Sequence, residues 1–442
     1  MLARFLSLAR ISSIPRLSNL LRNAGTLISG NALNGILSLA YLAVITRALG
    51  LEAFGLYGLY MAYIGLFTRL TTFQTLPGLI SFGTPAYERK DQGLLRDLLC
   101  ASWLLDFLGG VAGFALAVLG AYLIPTWFGL GDQAVLNVAI IASMLIFNWR
   151  NGPIALLRIY DSFLPQALFN NLASALQLLT VIYLFLQGEQ RIVVYLATTT
   201  INNIIGQLAF FGYALWRGGK GGLLAAGPMS MRTLPERCPG ITRFVLSTNG
   251  DGFVRVLRDL DIFIVNALLG VAAAGLYRIA RLLTRAMGQV TGPLYQSIFP
   301  ELARFQANQD YDGMGALMRS SALILGGLTF AAWLGFLFVG ELVLELGFGV
   351  EYVAAYEVAA WCIGGMVIWG FTHVLSPALL TWQRAGTALL INFVTTVIYA
   401  ISLYLLVETY DLTGAGMALT CFYLIWGLVM FIVVSRQFKR LN

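Results

Sequence analysis

Long uncharged runs recur through this chain. Phe107–Gly131 and Ser162–Gly188 contain no Asp, Glu, Lys, Arg or His, and Ile192–Trp216, Ala385–Val407 and Leu412–Ser435 repeat the pattern. About 20 apolar residues in a helix cross the hydrocarbon core of a bilayer. In hydrocarbon no water satisfies the backbone, so each crossing segment is a helix or a strand of a closed barrel. A barrel shows short alternating segments. These runs are long and continuous, so they predict an all-α integral membrane protein. Charged residues make up only 11% of the chain, against about 25% in soluble domains.

Twelve spans are expected, at roughly 24–48, 54–76, 98–123, 135–157, 164–187, 192–216, 243–268, 275–299, 315–340, 355–380, 386–407 and 412–435. Basic residues between them fall on one side: Arg4, Arg10, Arg16, Arg22, Arg89, Lys90, Arg96, Arg158, Arg217, Lys220, Arg237, Arg304, Arg384 and Lys439 among them. The opposite loops hold Arg47 and Arg191 as their only basic residues and are otherwise acidic, with Glu52, Asp132, Glu341, Glu351 and Asp411. The positive-inside rule then places both termini in the cytoplasm. The net charge of +7 is thereby explained by topology, and no nucleic acid partner is expected.

The domain organisation expected is a basic amphipathic segment over 1–23, a first lobe over 24–216, a cytoplasmic linker over 217–242, a second lobe over 243–436 and a tail over 437–442. The amphipathic segment is expected on the inner membrane surface, and Pro85–Asp97 is expected to form a second interfacial element. Internal repetition supports two lobes. Leu49–Tyr57 (LGLEAFGLY) returns as Leu269–Tyr277 (LGVAAAGLY), with Gly50 and Gly270 separated by 220 positions in 442. Both copies fall at turns on the same side, so the halves run in parallel, as in one class of transporter repeats.

Charges inside the spans carry the functional signal, since one charge at the bilayer centre costs roughly 2.5–3.5 kcal/mol on insertion scales. Arg278, Arg281 and Arg285 stand at i, i+3 and i+7, one stripe of a helix. Asp251, Arg255 and Arg258 form another, with Asp259 and Asp261 beside it; Arg69, Asp106 and Arg150 lie in spans two to four. Local ion pairs are one reading, with Arg258 reaching Asp261. The arginine surplus supports another: a wet cationic cavity that takes an anion, phosphate above all, through bidentate guanidinium contacts. Arg69, Arg150, Arg255, Arg258, Arg278, Arg281 and Arg285 are its candidate ligands, and Asp106, Asp251, Asp259 and Asp261 are candidates for ion coupling. Asn170, Asn171, Gln177, Asn202 and Asn203 are candidates for lining a glycan path, or for interhelical hydrogen bonds. Trp127, Trp216 and Trp382 are read as interfacial anchors, and His373 as a packed residue.

No catalytic constellation and no P-loop is present, the four cysteines lack metal spacing, and no cofactor or metal is expected. The chain is not read as an enzyme.

Asn23–Tyr57, and within it Thr46-Arg47-Ala48-Leu49-Gly50 followed by Phe54-Gly55-Leu56-Tyr57, resembles the opening of Wzx-type polysaccharide flippases, the O-antigen and exopolysaccharide exporters of the MOP superfamily. Asp261–Leu282 and Pro293–Arg304 are similar to that family's second-half pattern. The resemblance implies a MATE-like fold of two six-helix bundles around a cavity that opens to each side in turn. It also implies transfer of an undecaprenyl-pyrophosphate-linked oligosaccharide across a bacterial inner membrane, and contact with polymerase or glycosyltransferase machinery. The coupling ion, proton or sodium, stays open at this point. So do two other readings: a MATE-type drug or organic-cation antiporter, and a membrane glycosyltransferase or polymerase.

Overall fold

Three reversals organise the helices. In the computed structural model, which describes residues 15–73, 75–124, 128–131, 133–160, 162, 164–223, 234–238, 258–382 and 384–441, helix α1 (Pro15–Thr71) is interrupted at Gly50, where φ is 71° and ψ 177°. The hydroxyls of Tyr41 and Tyr57 meet at 2.8 Å across that point. Sixteen residues of straight helix would separate them by about 24 Å, so α1 folds back into two antiparallel arms. Gly270, with φ 87° and ψ 176°, does the same between α9 (Asp261–Leu269) and α10 (Val271–Ala307). This backbone region is open essentially to glycine alone, which is why both copies of the repeated sequence carry it. The third reversal breaks α14 (Ala385–Leu441) at Tyr410 and Asp411. Trp426 there donates to Asn392 at 2.8 Å across the fold.

The remaining elements are α2 (Leu76–Glu88), α3 (Gln92–Leu123), α4 (Ala134–Ile146), α5 (Asn151–Ile159), α6 (Leu164–Leu186), α7 (Ile192–Lys220), α8 (Leu234–Arg237), α11 (Tyr311–Phe348), a 3₁₀ turn (Val350–Ala355), α12 (Tyr356–Thr372) and α13 (Leu375–Thr381). All regular structure among the described residues is helical. Eight stretches are long and apolar enough to cross a membrane. Two of them, Leu33–Thr71 and Gly386–Lys439, contain a reversal and so cross twice. α10 falls outside that set because three arginines interrupt it, and α9 is the described end of the span before it. The twelve-helix arrangement follows.

Several boundaries differ from the sequence reading. Pro85 lies inside α2 and Gln92–Asp97 opens α3, so the stretch expected to form one element is divided between two helices. The cause is a cap: Asp91 accepts from the Leu94 N–H at 2.8 Å and starts the helix ahead of the apolar run. Spans four and ten are each broken in two, between α4 and α5 and between α12 and α13. Pro153 and Pro377 lie in the first turn after each break, where the missing N–H ends the ladder. The expected N-terminal segment is outside the described residues up to Ile14; from Pro15 the chain is already in α1. Trp127 and the stretches 224–233 and 239–257 are also outside them. Trp216 is exposed, but Trp382 is only 9% exposed, donates to Gln306 at 2.7 Å and packs edge-on against Phe438. It is a packing residue, and its position near a span end was misleading.

The two halves meet where the repeated sequences meet. A Cβ on Gly55 would lie 2.2 Å from the Val271 carbonyl oxygen, and one on Gly275 would lie 3.2 Å from that of Leu51. Leu51 and Val271 are equivalent positions in the repeat, as are Gly55 and Gly275, so the contact is self-complementary about a pseudo-two-fold axis. Arg47 donates to the Leu346 carbonyl, and Phe54 packs edge-on against Tyr352 at 5.8 Å. These contacts close the molecule at the glycine-turn end.

At the opposite end α8 docks on the first half. Leu234 and Cys238 pack with Leu79, Leu98 and Ala155, and Arg237 bridges Asp97 at 3.0 Å and Asp91 at 3.1 Å. The Leu94 N–H and then Arg237 hold the Asp91 carboxyl below its usual range. A depressed carboxylate contributes its stabilisation above the ordinary carboxylate range and loses it as pH falls through the depressed value. At neutral pH the dock is therefore fully engaged. Arg237→Gln is expected to raise the maleimide labelling rate of buried Cys238 about fivefold, the scale of the two partly exposed ion pairs it removes. Labelling at an unchanged rate would show that apolar contacts alone hold α8.

Candidate functional site

Between the halves lies a cavity of about 180 Å³, lined by both arms of α1, by residues 259–262 and by α10. Its charges are Arg69, Arg278, Arg281 and Arg285 against Asp259 and Asp261, two positive charges in excess. The arginine stripe of α10 thus faces one space, as its spacing predicts.

The four arginines are held differently. Arg281 Nε is 3.1 Å from Asp261 Oδ2, and both side chains are largely buried. The same carboxylate oxygen accepts from Tyr277 at 2.8 Å and Tyr399 at 3.0 Å, while Oδ1 accepts from the Ile262 N–H. In the first half the equivalent of Asp261 is Tyr41, and Tyr41 and Tyr57 bond each other and Thr199. One frame carries a neutral triad in one half and a charged network in the other.

Arg278 occupies the position equivalent to Gly58. A Cβ on Gly58 would lie 2.7 Å from Arg278 Cδ, so the missing side chain makes room for the arginine. Its guanidinium lies 5.6 and 5.3 Å from the ring centres of Phe54 and Tyr57 and donates to the Tyr57 carbonyl at 3.4 Å. No carboxylate pairs with it among the described residues. Away from the glycine turns, Arg69 meets Asp259 at 2.8 Å across the halves, and Arg285 lies 4.0 Å from the same carboxylate. Both arginine side chains are substantially exposed, 45% and 66%.

Other expected residues fall elsewhere. Arg258 does not take Asp261, which Arg281 already occupies; it lies over the Phe422 ring at 5.2 Å. Arg255 and Asp251 are outside the described residues. Arg150 belongs to a separate pocket of about 220 Å³ within the first half, with Asn34, Asn170, Ser174, Gln177, Asn203 and Gln207. There it donates to Asn170 Oδ1 at 2.8 Å, and Asn34 donates to Ser174 Oγ at 2.8 Å. Asn202 instead donates to Thr180 between α7 and α6, and neither it nor Asn171 lines the pocket. Asp106 is buried, accepts from Asn151 at 3.0 Å, and lines neither cavity. His373 is buried with Nδ1 on the Gly370 carbonyl.

Asn34 and Gly58 were missed by sequence reasoning. Asn34 could have been found as a polar residue within the first apolar run. Gly58 gives a signal only when the repeats are aligned and its partner position is seen to be an arginine.

Residues 20–306 match the family described as polysaccharide biosynthesis protein. Inner membrane protein YghQ of Escherichia coli (strain K12) is 25% identical over 347 residues, covering 76% of this chain and 95% of that protein. A multidrug resistance MATE family transporter of the MOP superfamily, solved in an inward-facing conformation, has a TM-score of 0.72 at 14% identity, over 93% of this chain and 94% of that one. The lipid II flippase MurJ, in an inward closed conformation, has a TM-score of 0.69 at 13% identity, over 94% and 89%. The structural likeness is one of fold: a MATE-like arrangement of two related helix bundles.

Proposed function

Because this chain belongs to the polysaccharide biosynthesis protein family, we propose that it moves an undecaprenyl-pyrophosphate-linked oligosaccharide across the bacterial inner membrane by alternating access, for O-antigen or exopolysaccharide synthesis. The observation that carries this reading is the cationic surplus in a cavity between the halves, closed at the glycine-turn end. A pyrophosphate supplies the two or more negative charges that such a surplus requires. Arg278, Arg285 and Arg69 would receive it, the amide-lined pocket around Arg150 would receive sugar hydroxyls, and the lipid tail would stay in the bilayer. A cavity with this sign repels organic cations.

On this reading both termini and the linker over 217–242 are cytoplasmic, the lobes are 24–216 and 243–436, and the glycine turns face outward. Inward and outward states interconvert as the Arg69–Asp259 pair breaks and re-forms. A coupling proton or sodium ion, if used, would act at a cavity carboxylate. Asp259 suits this better than Asp261, whose oxygens are engaged by Arg281, Tyr277, Tyr399 and its own chain. Asp106, which lines neither cavity, would lie outside the path.

The test is separate neutralisation of Arg278 and Arg285 by glutamine. Each removes a charge-assisted contact of about 1.5–3 kcal/mol, so flipping of the lipid-linked glycan in proteoliposomes is expected to fall by about tenfold or more in either variant. Wild-type rates in both would sink the anion-site reading.

A further inference from the structure

A further pocket lies away from the cavity, where α2, α5 and α7 end together. It has a volume of about 750 Å³ and is lined by Tyr87, Glu88, Lys90, Gln92, Tyr160, Arg217, Lys220 and Gly221. Three basic residues face one acidic residue, and none of the three forms an ion pair among the described residues. Lys90 is held in the left-handed region, φ 60°, at the end of α2, a conformation costly for a residue with a Cβ. Two polar atoms of the lining, Tyr160 Oη and Gln92 Oε1, are buried without a hydrogen-bond partner among the described residues. A buried hydroxyl of this kind calls for an acceptor. Tyr160 is fixed by its ring contact with Tyr87 at 5.1 Å.

Helix α7 connects this pocket to lipid. Ile201, Ile205, Leu208, Gly212, Trp216 and Lys220 follow at spacings of three and four, one stripe of the helix, and all six are exposed. The stripe passes from aliphatic residues through Trp216 to Lys220, whose Nζ lies 3.9 Å from the Trp216 ring centre. Tryptophan at a span end marks the headgroup level of a bilayer. The face that meets acyl chains therefore leads into the basic pocket.

We propose that this pocket binds the phosphate of an anionic phospholipid headgroup, with Lys90, Arg217 and Lys220 supplying charge, Tyr160 donating a hydrogen bond and the Ile201–Trp216 stripe carrying an acyl chain. It stands on a different part of the molecule from the cavity between the halves and does not depend on the transport reading.

The test uses the purified full chain in vesicles of phosphatidylcholine doped with spin-labelled phosphatidylglycerol or spin-labelled phosphatidylcholine. Wild-type protein is expected to immobilise the anionic probe preferentially. Each basic residue near an anionic surface is worth about 1 kcal/mol, a factor of about five. Lys220→Gln should therefore cut the preference about fivefold, and the Lys90→Gln/Arg217→Gln/Lys220→Gln variant should abolish it. Arg436→Gln/Lys439→Gln, at the same expected membrane side, should leave it intact. Thermal unfolding in neutral detergent checks that the variants fold, and Tyr160→Phe supplies a milder probe of the same pocket. If millimolar inorganic phosphate displaces the anionic probe from wild type, the pocket takes a soluble phosphate and the lipid assignment is overturned; retention of the probe under that competition supports the lipid. Equal preference in wild type, single and triple variants overturns the proposal.

Discussion

Replacing Arg281 with methionine is expected to destabilise the protein by about 3–5 kcal/mol, the usual effect of orphaning one member of a buried ion pair. The carboxylate left behind, Asp261, is 5% exposed. Tyr277, Tyr399 and the Ile262 N–H would still donate to it, but no positive charge would offset its desolvation. The companion variant Arg281→Met/Asp261→Asn removes both charges and keeps an acceptor for the two tyrosines. It should recover most of the loss, because a neutral replacement of a buried pair is often close to neutral in stability. Unfolding of the purified protein in detergent, followed for wild type, both single variants and the double variant, gives the coupling energy directly. A loss below about 1 kcal/mol in Arg281→Met would mean that water reaches the pair.

Gly55→Leu is expected to open the molecule at its closed end. The first side-chain atom would already lie 2.2 Å from the Val271 carbonyl oxygen and 3.0 Å from Val271 Cγ1. Backbone cannot swing aside as a side chain does, so the overlap costs more than the roughly 1–3 kcal/mol of ordinary overpacking. A bias of that size moves a two-state equilibrium by more than a hundredfold. Spin labels at Glu52 and Val350, both exposed and on opposite halves near this end, should report a longer distance. On the proposed alternating-access reading, flipping should fall to a few per cent of wild type or less, since one state of that cycle would be removed. Gly65→Ala is the control: its Cβ would meet nothing within 4 Å, and the label distance should not change. An unchanged distance in Gly55→Leu would show that the glycine contact does not set the closed state.

The residues that made these two experiments visible differ in how far the chain alone disclosed them. Gly55 and Gly275 were legible as members of a repeat, and the repeat was legible as an interlobe equivalence. That the copies touch each other was not, because a repeat of 220 positions says nothing about which faces meet. Arg281 was legible as one of a stripe on α10. Its partner was not: Asp259 and Asp261 are two residues apart, and the choice between them depends on the rotation of α9 against α10. The same ambiguity misassigned Arg258 to Asp261.

Arg150 shows the limit in another way. Its charge and depth suit the central cavity, yet it lies in the pocket within the first half, bonded to Asn170. Depth in the membrane can be counted from the ends of a run; direction around a bundle cannot. Trp382 failed for a related reason, since a position near a span end does not tell whether the ring faces lipid or, as here, Gln306 and Phe438.

By itself the chain determined that this protein is a bundle of membrane helices in two repeated halves, each turned within its copy of the repeated stretch, with an excess of arginine in the spans of the second half. Those features follow from local rules: backbone groups in hydrocarbon must be bonded within their own helix, and only glycine adopts the turn conformation. The tertiary structure decided which helices are neighbours and how each is rotated, and through that which charges are neutralised and which are left facing the cavity. Pairing energies depend on separations of a few ångströms between residues far apart in the chain, and no periodicity within a single helix encodes them.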